Sequence, residues 1–66
     1  MFLKDFIREF ILNYTKIAVF DNRTNEEYFE GRAYDLLKSD NEVLSRTVAN
    51  IEPDYNYAGW IVIVVD

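Results

Sequence analysis

Residues 59–66 read GWIVIVVD, and from Trp60 to Val65 the run is apolar without a break. Valine, isoleucine and tryptophan favour strands. Along a strand the side chains alternate, so Trp60, Val62 and Val64 point one way and Ile61, Ile63 and Val65 the other. A strand with one wet face alternates apolar with polar residues, whereas one that is apolar on both faces is covered on both. The run is therefore expected to be a central strand with one face covered by the rest of the chain and its outer face closed by another chain, either a second copy or a target.

The first layer is written at the other end of the sequence. Phe2, Phe6, Phe10 and Tyr14 recur at spacing four, with Leu3, Ile7 and Ile11 in the adjacent row. Lys4, Asp5, Arg8, Glu9 and Asn13 fill the opposite side. This spacing predicts an amphipathic helix whose wide apolar stripe lies on a sheet. Asp5 and Arg8 stand three apart, close enough to pair. A membrane-surface helix would need a strongly basic polar face; here Lys4 and Arg8 are balanced by Asp5 and Glu9.

TKIAVFD (15–21) and EEYFEGR (26–32) are two strand-forming runs around the turn-rich DNRTNEE, the pattern of a β-hairpin. Alternation on the second strand places Phe29 with Gly31 and opposes them to Tyr28, Glu30 and Arg32. Gly31 is expected at a bend or at a close approach of another backbone. RAYDLLKSD suits a short helix with Ala33, Leu36 and Leu37 on one side, and Ser39 with Glu42 offers a capping box for a further helical turn. The stretch after Asn41 fits both periods. We read it as a helical turn near 41–45 passing into a strand near 46–52, ended by Pro53. The loop DYNYAG (54–59) then leads into the closing strand, which forms a second hairpin with 46–52. The element order is α-β-β-α-β-β. The expected fold is α+β, with an amino-terminal amphipathic helix and a short second helix packed on a four-stranded antiparallel sheet. The second helix is too short to cover a whole sheet face.

Sixty-six residues make a single domain, 1–66, with a small core. Chains of this size commonly add disulfides, a metal or a partner chain. The sequence has no Cys and no His, which removes disulfides and Cys/His zinc sites. Twelve acidic against seven basic residues give a net charge of −5. That field disfavours direct contact with nucleic acid or anionic membrane and favours basic protein surfaces. The start of the chain has no signal-peptide core, since Asp5, Arg8 and Glu9 interrupt it. No run approaches the ~20 apolar residues of a membrane span. The expected location is the cytoplasm.

The chemistry of catalysis is thinly represented. Without His, the hydroxyls of Thr15, Thr24, Ser39, Ser45 and Thr47 have no imidazole base to activate them. Glu26, Glu27 and Glu30 are close in sequence but are expected on an exposed strand rather than in a cleft. DNRTNEE offers oxygen ligands but lacks the Gly and Glu that a calcium loop needs at its sixth and twelfth positions, where Glu26 and Arg32 stand. Two glycines, Gly31 and Gly59, cannot build a phosphate loop. The expectation is a non-enzyme with no catalytic residue, cofactor or metal. Tyr and Trp are enriched where proteins bind proteins. Tyr55, Tyr57 and Trp60, with Tyr28, are the aromatic candidates for partner binding, and Glu26, Glu27 and Glu30 are the acidic ones.

The stretches FLKDFIREF (2–10), IAVFDNRTNEEYFEG (17–31), AYDLL (33–37), RTVANIEP (46–53) and GWIVIVVD together resemble short phage- and prophage-encoded proteins of Gram-positive bacteria, over nearly the whole chain. In these a helix precedes a hairpin of strand, acidic turn, strand and glycine, then a D-L-L helix and a closing strand pair. The resemblance implies a small accessory protein, and some proteins of that kind inhibit host enzymes or defence systems. Its motifs are structural, so it transfers no functional residue. The expected function is a non-catalytic interaction protein that binds, and inhibits, a host protein such as a nucleic-acid-handling or defence enzyme through acidic and aromatic surface. The alternative is a structural module whose partner is a second copy of itself, as a homodimer.

Overall fold

The apolar run at 61–65 is a central strand. A computed structural model describes residues 1–53 and 59–66 of the chain. The elements are α1 (Leu3–Phe10), β1 (Lys16–Asp21), β2 (Glu27–Arg32), α2 (Ala33–Lys38), a 3-10 turn at Glu42–Ser45, β3 (Val48–Pro53) and β4 (Ile61–Val65). The strands form one sheet in the order β2-β1-β4-β3. The expected hairpins are present: β1 with β2 and β3 with β4, both antiparallel. The sheet as a whole is not antiparallel, however. β1 and β4 lie side by side in parallel, with Ile17 beside Ile61, Val19 beside Ile63 and Asp21 beside Val65. Parallel neighbours cannot be joined by a tight turn and need a long crossover; here everything between β1 and β4 serves as that crossover.

Among the described residues, the helical elements all lie on one side of the sheet. Leu3, Ile7 and Ile11 from the α1 segment, Ala33 and Leu36 from α2, and Val43 and Leu44 from the 3-10 turn close over Ile17, Val19, Ile63 and Val65. Leu3, Ile7, Ile17, Val19, Leu36, Ile63 and Val65 are fully buried. With eight residues α1 is too short to be stable alone, so packing holds it. Of the two apolar rows expected on α1, only the Leu3–Ile7–Ile11 row enters the core. Phe6 is half-buried, and Phe2 and Phe10 are 56% and 64% exposed. The helix ends at Phe10, because Ile11 turns extended to seat its side chain in the core. Asn13 and Tyr14 thus lie in the turn that follows, not on the helix. Asp5 and Arg8 do not pair; among the described residues the ion pairs are Lys38–Asp35 and Arg46–Asp21.

Other local expectations are also revised. The cap of the 3-10 turn is Asn41, whose side chain accepts from the Val43 amide at 3.0 Å. Ser39 instead donates to the Leu36 carbonyl at 2.6 Å, so no Ser39–Glu42 box forms. β3 starts at Val48 and includes Pro53. Its entry is anchored by the chain start: the Leu3 amide donates to the Arg46 carbonyl at 2.8 Å and the Val48 amide to the Met1 carbonyl at 2.9 Å. Gly31 meets a ring rather than a backbone, for a Cβ there would stand 3.1 Å from Cζ of Phe29. The aromatic covers the gap that the missing side chain leaves beside Ile17.

Both hairpins lose register on their outer strand. Val19 pairs with Phe29 but Phe20 pairs with Glu27, leaving Tyr28 as an extra residue on β2. Likewise Val48 pairs with Val65 and Asn50 with Val64, leaving Ala49 extra on β3. Such bulges re-aim side chains. Tyr28 is accordingly turned to the helix side, where it and Phe29 both pack on the core, against the simple alternation expected for β2.

Two measurements check this architecture. Ile63→Val should lower unfolding free energy by about 0.5–1.5 kcal/mol, whereas Phe10→Ala should stay within about 0.5 kcal/mol, as surface changes do. Urea titrations of the two variants give both values, and a larger loss for Phe10→Ala would mean that the phenylalanine row is core after all. In native-state amide exchange, β1 and β4 should be the slowest strands, because both are flanked on each side by another strand.

Candidate functional site

Two features of the described residues are not explained by core packing alone. One is a polar cluster at the end of β1. The other is the sheet face that no helix covers.

The cluster is built around Asp21, buried at 8% exposure. As the last residue of β1 it begins the turn to β2, and its Oδ1 accepts from the amides of Arg23 at 2.7 Å and Thr24 at 3.0 Å. Asn25 closes the turn with φ 61°, a conformation that asparagine tolerates better than most residues. Oδ2 accepts from the Tyr28 hydroxyl at 2.6 Å and from Nη2 of Arg46 at 2.9 Å. The Arg46 guanidinium lies 5.2 Å from the Tyr28 ring centre, and its Nε donates to the main-chain oxygen of Asp66. Four donors on one carboxylate favour its charged form. The Tyr28 hydrogen bond, the Thr24 and Arg23 amides and then Arg46 hold Asp21 well below the usual carboxylate range, against the effect of burial. The Asp21 carboxylate in turn raises the Tyr28 phenol, and Tyr28 and Asp21 raise Arg46. A carboxylate this acidic, with its acceptor sites filled, has no proton to give or take near neutral pH. The cluster is a structural clamp.

The second feature is the outer face of the sheet. Lys16, Ala18 and Phe20 of β1 alternate with the core residues of that strand, as do Val62 and Val64 along β4, and Trp60, just before β4, lies beside Lys16. Ala18 is fully buried and Val62 is 4% exposed, while Phe20, Val64 and Trp60 are half-buried. Cross-strand register puts Glu30 beside Ala18 and Glu27 beside Phe20 at the β2 edge. It puts Glu52 beside Val62 and Asn50 beside Val64 at the β3 edge. The other end of the face is basic and aromatic: Lys16 stands beside Arg32, and its Nζ lies 5.7 Å from the Trp60 ring centre. A cleft of about 220 Å³ opens between Phe20, Asn25, Glu52, Val62 and Val64. The Glu27 carboxyl is pushed up from its ordinary value, first by its reduced solvation and then by Glu30. Among the described residues, neither carboxylate has a cation within ion-pair distance.

The sequence candidates separate on this map. Trp60, Glu27 and Glu30 meet on the outer face. Glu26 is exposed in the hairpin turn. Tyr28 belongs to the Asp21 clamp and is not a free contact residue. Tyr55 and Tyr57 lie outside the described residues. Sequence reasoning placed Val62 with Trp60 and Val64 on one face of the closing strand, but it did not single out Ala18 as part of that face, nor Arg46 as a partner of Asp21. Alternation within β1 could have found Ala18. No local signal links Arg46 to Asp21, which are 25 residues apart.

Among the described residues, no group of Asp and Glu side chains is placed to hold a metal ion, and no helix is long and apolar enough to cross a membrane. No protein-family model, curated protein or solved structure shows significant similarity to the chain.

The clamp makes a sign-specific prediction. A carboxyl whose pKa is lowered by folding adds stability above its unfolded value of about 3.9 and loses it progressively as pH falls below that. The urea midpoint of the wild type should therefore drop on acidification from about pH 5 downward. Asp21→Asn should start lower at pH 7 and fall less over the same range, whereas Asp35→Asn, on the exposed α2 surface, should follow the wild type. Parallel pH curves for Asp21→Asn and wild type would mean that the clamp contributes nothing to stability.

Proposed function

We propose that this chain is a non-catalytic protein-interaction module that docks a partner on the outer face of its sheet. One observation carries the reading: Phe20 and Val64, half-buried beside the buried Ala18 and Val62, form an apolar strip across the two central strands that none of the described helices covers and that has carboxylates on both flanks. Sheets are normally apolar toward a covering layer and polar toward water. The acidic flanks suit a target with a basic surface, and nucleic-acid-handling enzymes form such a class. The mode of action we propose is occupation of a basic site of a host enzyme in the cytoplasm, as an accessory factor of the phage-encoded kind that the sequence resembles.

Site-specific crosslinking tests this reading. A benzophenone amino acid at position 20, on the outer face, should capture a protein partner in producing cells; the same group at position 12, exposed on the helix side, should not. Capture should weaken as salt is raised, since exposed charges are screened beyond a Debye length of about 8 Å at physiological ionic strength. Equal capture from both positions, or none from position 20, removes the outer face as the docking surface. The same face also admits the homodimer reading. Sedimentation velocity at micromolar concentration should give a monomer, and a symmetric dimer whose Phe20 and Val64 side chains show intermolecular contacts by NMR would replace the external-partner reading with self-assembly.

A further inference from the structure

From the charge layout of the outer face, and on the reading that this face docks a protein, we infer that its occupant is an amphipathic α-helix with Lys or Arg on both flanks of its apolar stripe, lying along β1 and β4.

The dimensions fit that occupant. Neighbouring strands are about 4.8 Å apart, so the acidic columns on β2 and β3 stand about 14 Å apart across three strand spacings. A helix with its side chains is about 10–12 Å wide. Laid over the two central strands, it puts its apolar stripe on the half-buried Phe20 and Val64, above the buried Ala18 and Val62. Its flanks then overhang Glu27 and Glu30 on one side and Glu52 on the other. The five residues of β4 span about 17 Å at about 3.3 Å per residue, which is matched by a helix of about 11–12 residues. The cleft between Phe20, Val62 and Val64 is large enough for one leucine-sized anchor.

Charge decides between occupants. Carboxylates flank the apolar strip on both sides, and Glu27 and Glu30 have no cation of their own within ion-pair distance among the described residues. A second copy laid face to face with its strands antiparallel brings Glu30 over Glu30 and Glu52 over Glu52, although Arg32 then meets Glu27, and one with its strands parallel and its edges exchanged brings Glu30 over Glu52, so in both arrangements the carboxylates at the middle of the face meet like charges. A helix with basic flanks satisfies both columns at once. The face also has a polarity along the strands, with Lys16 and Arg32 at one end and Glu27 at the other. A helix dipole is negative at its carboxyl end, so the occupant's carboxyl end belongs over Lys16 and Arg32. The occupant thus runs antiparallel to β1 and β4.

The test uses the whole chain and two synthetic helix-forming peptides of 14 residues. They share one leucine stripe and carry either lysines or glutamates on its flanks. Amide shifts followed by NMR should map the lysine peptide to residues 16–20, 27–32 and 60–64. Glu27→Gln with Glu30→Gln should weaken it by about 3- to 10-fold, the scale of two partly screened ion pairs. Phe20→Ala, which removes one wall of the cleft, should weaken it further, and the paired glutamine variant keeps the test decisive if that protein does not fold. A spin label on the peptide's carboxyl end should broaden Lys16 and Arg32, not Glu27. The inference is overturned if the two peptides bind equally, if neither binds, or if the shifts map to Phe10, Tyr14 and Tyr34 on the helix side. A crosslink from position 20 to a protein, with no binding of the lysine peptide, would keep the docking face and discard the helical occupant.

Discussion

The parallel contact between β1 and β4 is the constraint on which everything else rests. Each of these strands already has an antiparallel partner from its own hairpin, and neither hairpin alone has a buried side. Two-stranded ribbons are marginal in water. Joining them along β1 and β4 brings Ile17, Val19, Ile63 and Val65 together as one apolar surface, and only that surface is broad enough to seat α1, α2 and the 3-10 turn. The helices therefore depend on a pairing between segments more than forty residues apart. In a chain this small, with no disulfide, the core exists only when that long loop is closed.

The Asp21 clamp stands where that joint needs support. Asp21 is the last β1 residue alongside β4, opposite Val65. Its carboxylate fixes the hairpin turn through two amides, holds the bulged Tyr28 on the core side and receives Arg46 from the segment that leads into β3. The Asn22 amide adds a bond to the Val65 carbonyl at 2.8 Å. Hydrophobic contact is indifferent to register, whereas a carboxylate with four directional donors is not. The clamp accordingly selects the register that the apolar residues stabilise.

What could be read from the sequence was local or periodic. The two hairpins, the α2 helix and the central placement of the Trp60–Val65 run follow from alternation, turn residues and apolar spacing. The parallel pairing does not, because nothing in a strand's own residues names its non-local neighbour. Nor do the bulges at Tyr28 and Ala49, which exist only relative to a partner strand. The phenylalanine row was overvalued for a similar reason: periodicity shows that Phe2, Phe6 and Phe10 share a side of α1, but the leucine–isoleucine row beside it fills the available space. On the outer face, Trp60, Glu27 and Glu30 were legible as surface types. Their assembly with Ala18, Val62 and Glu52 required the strand order.

The two bulges also govern how this sheet can grow. An edge strand offers unpaired amides and carbonyls to any passing chain, and regular apolar edges lead to stacking into fibres. Here both outer strands are interrupted, β2 at Tyr28 and β3 at Ala49, and β3 ends in a proline that has no amide hydrogen. The start of the chain further occupies the β3 side at Thr47 and Val48. Lateral extension is thereby discouraged at both margins, and the sheet stays four strands wide. Association is directed away from open-ended ribbons and toward a contact of fixed size on the broad face.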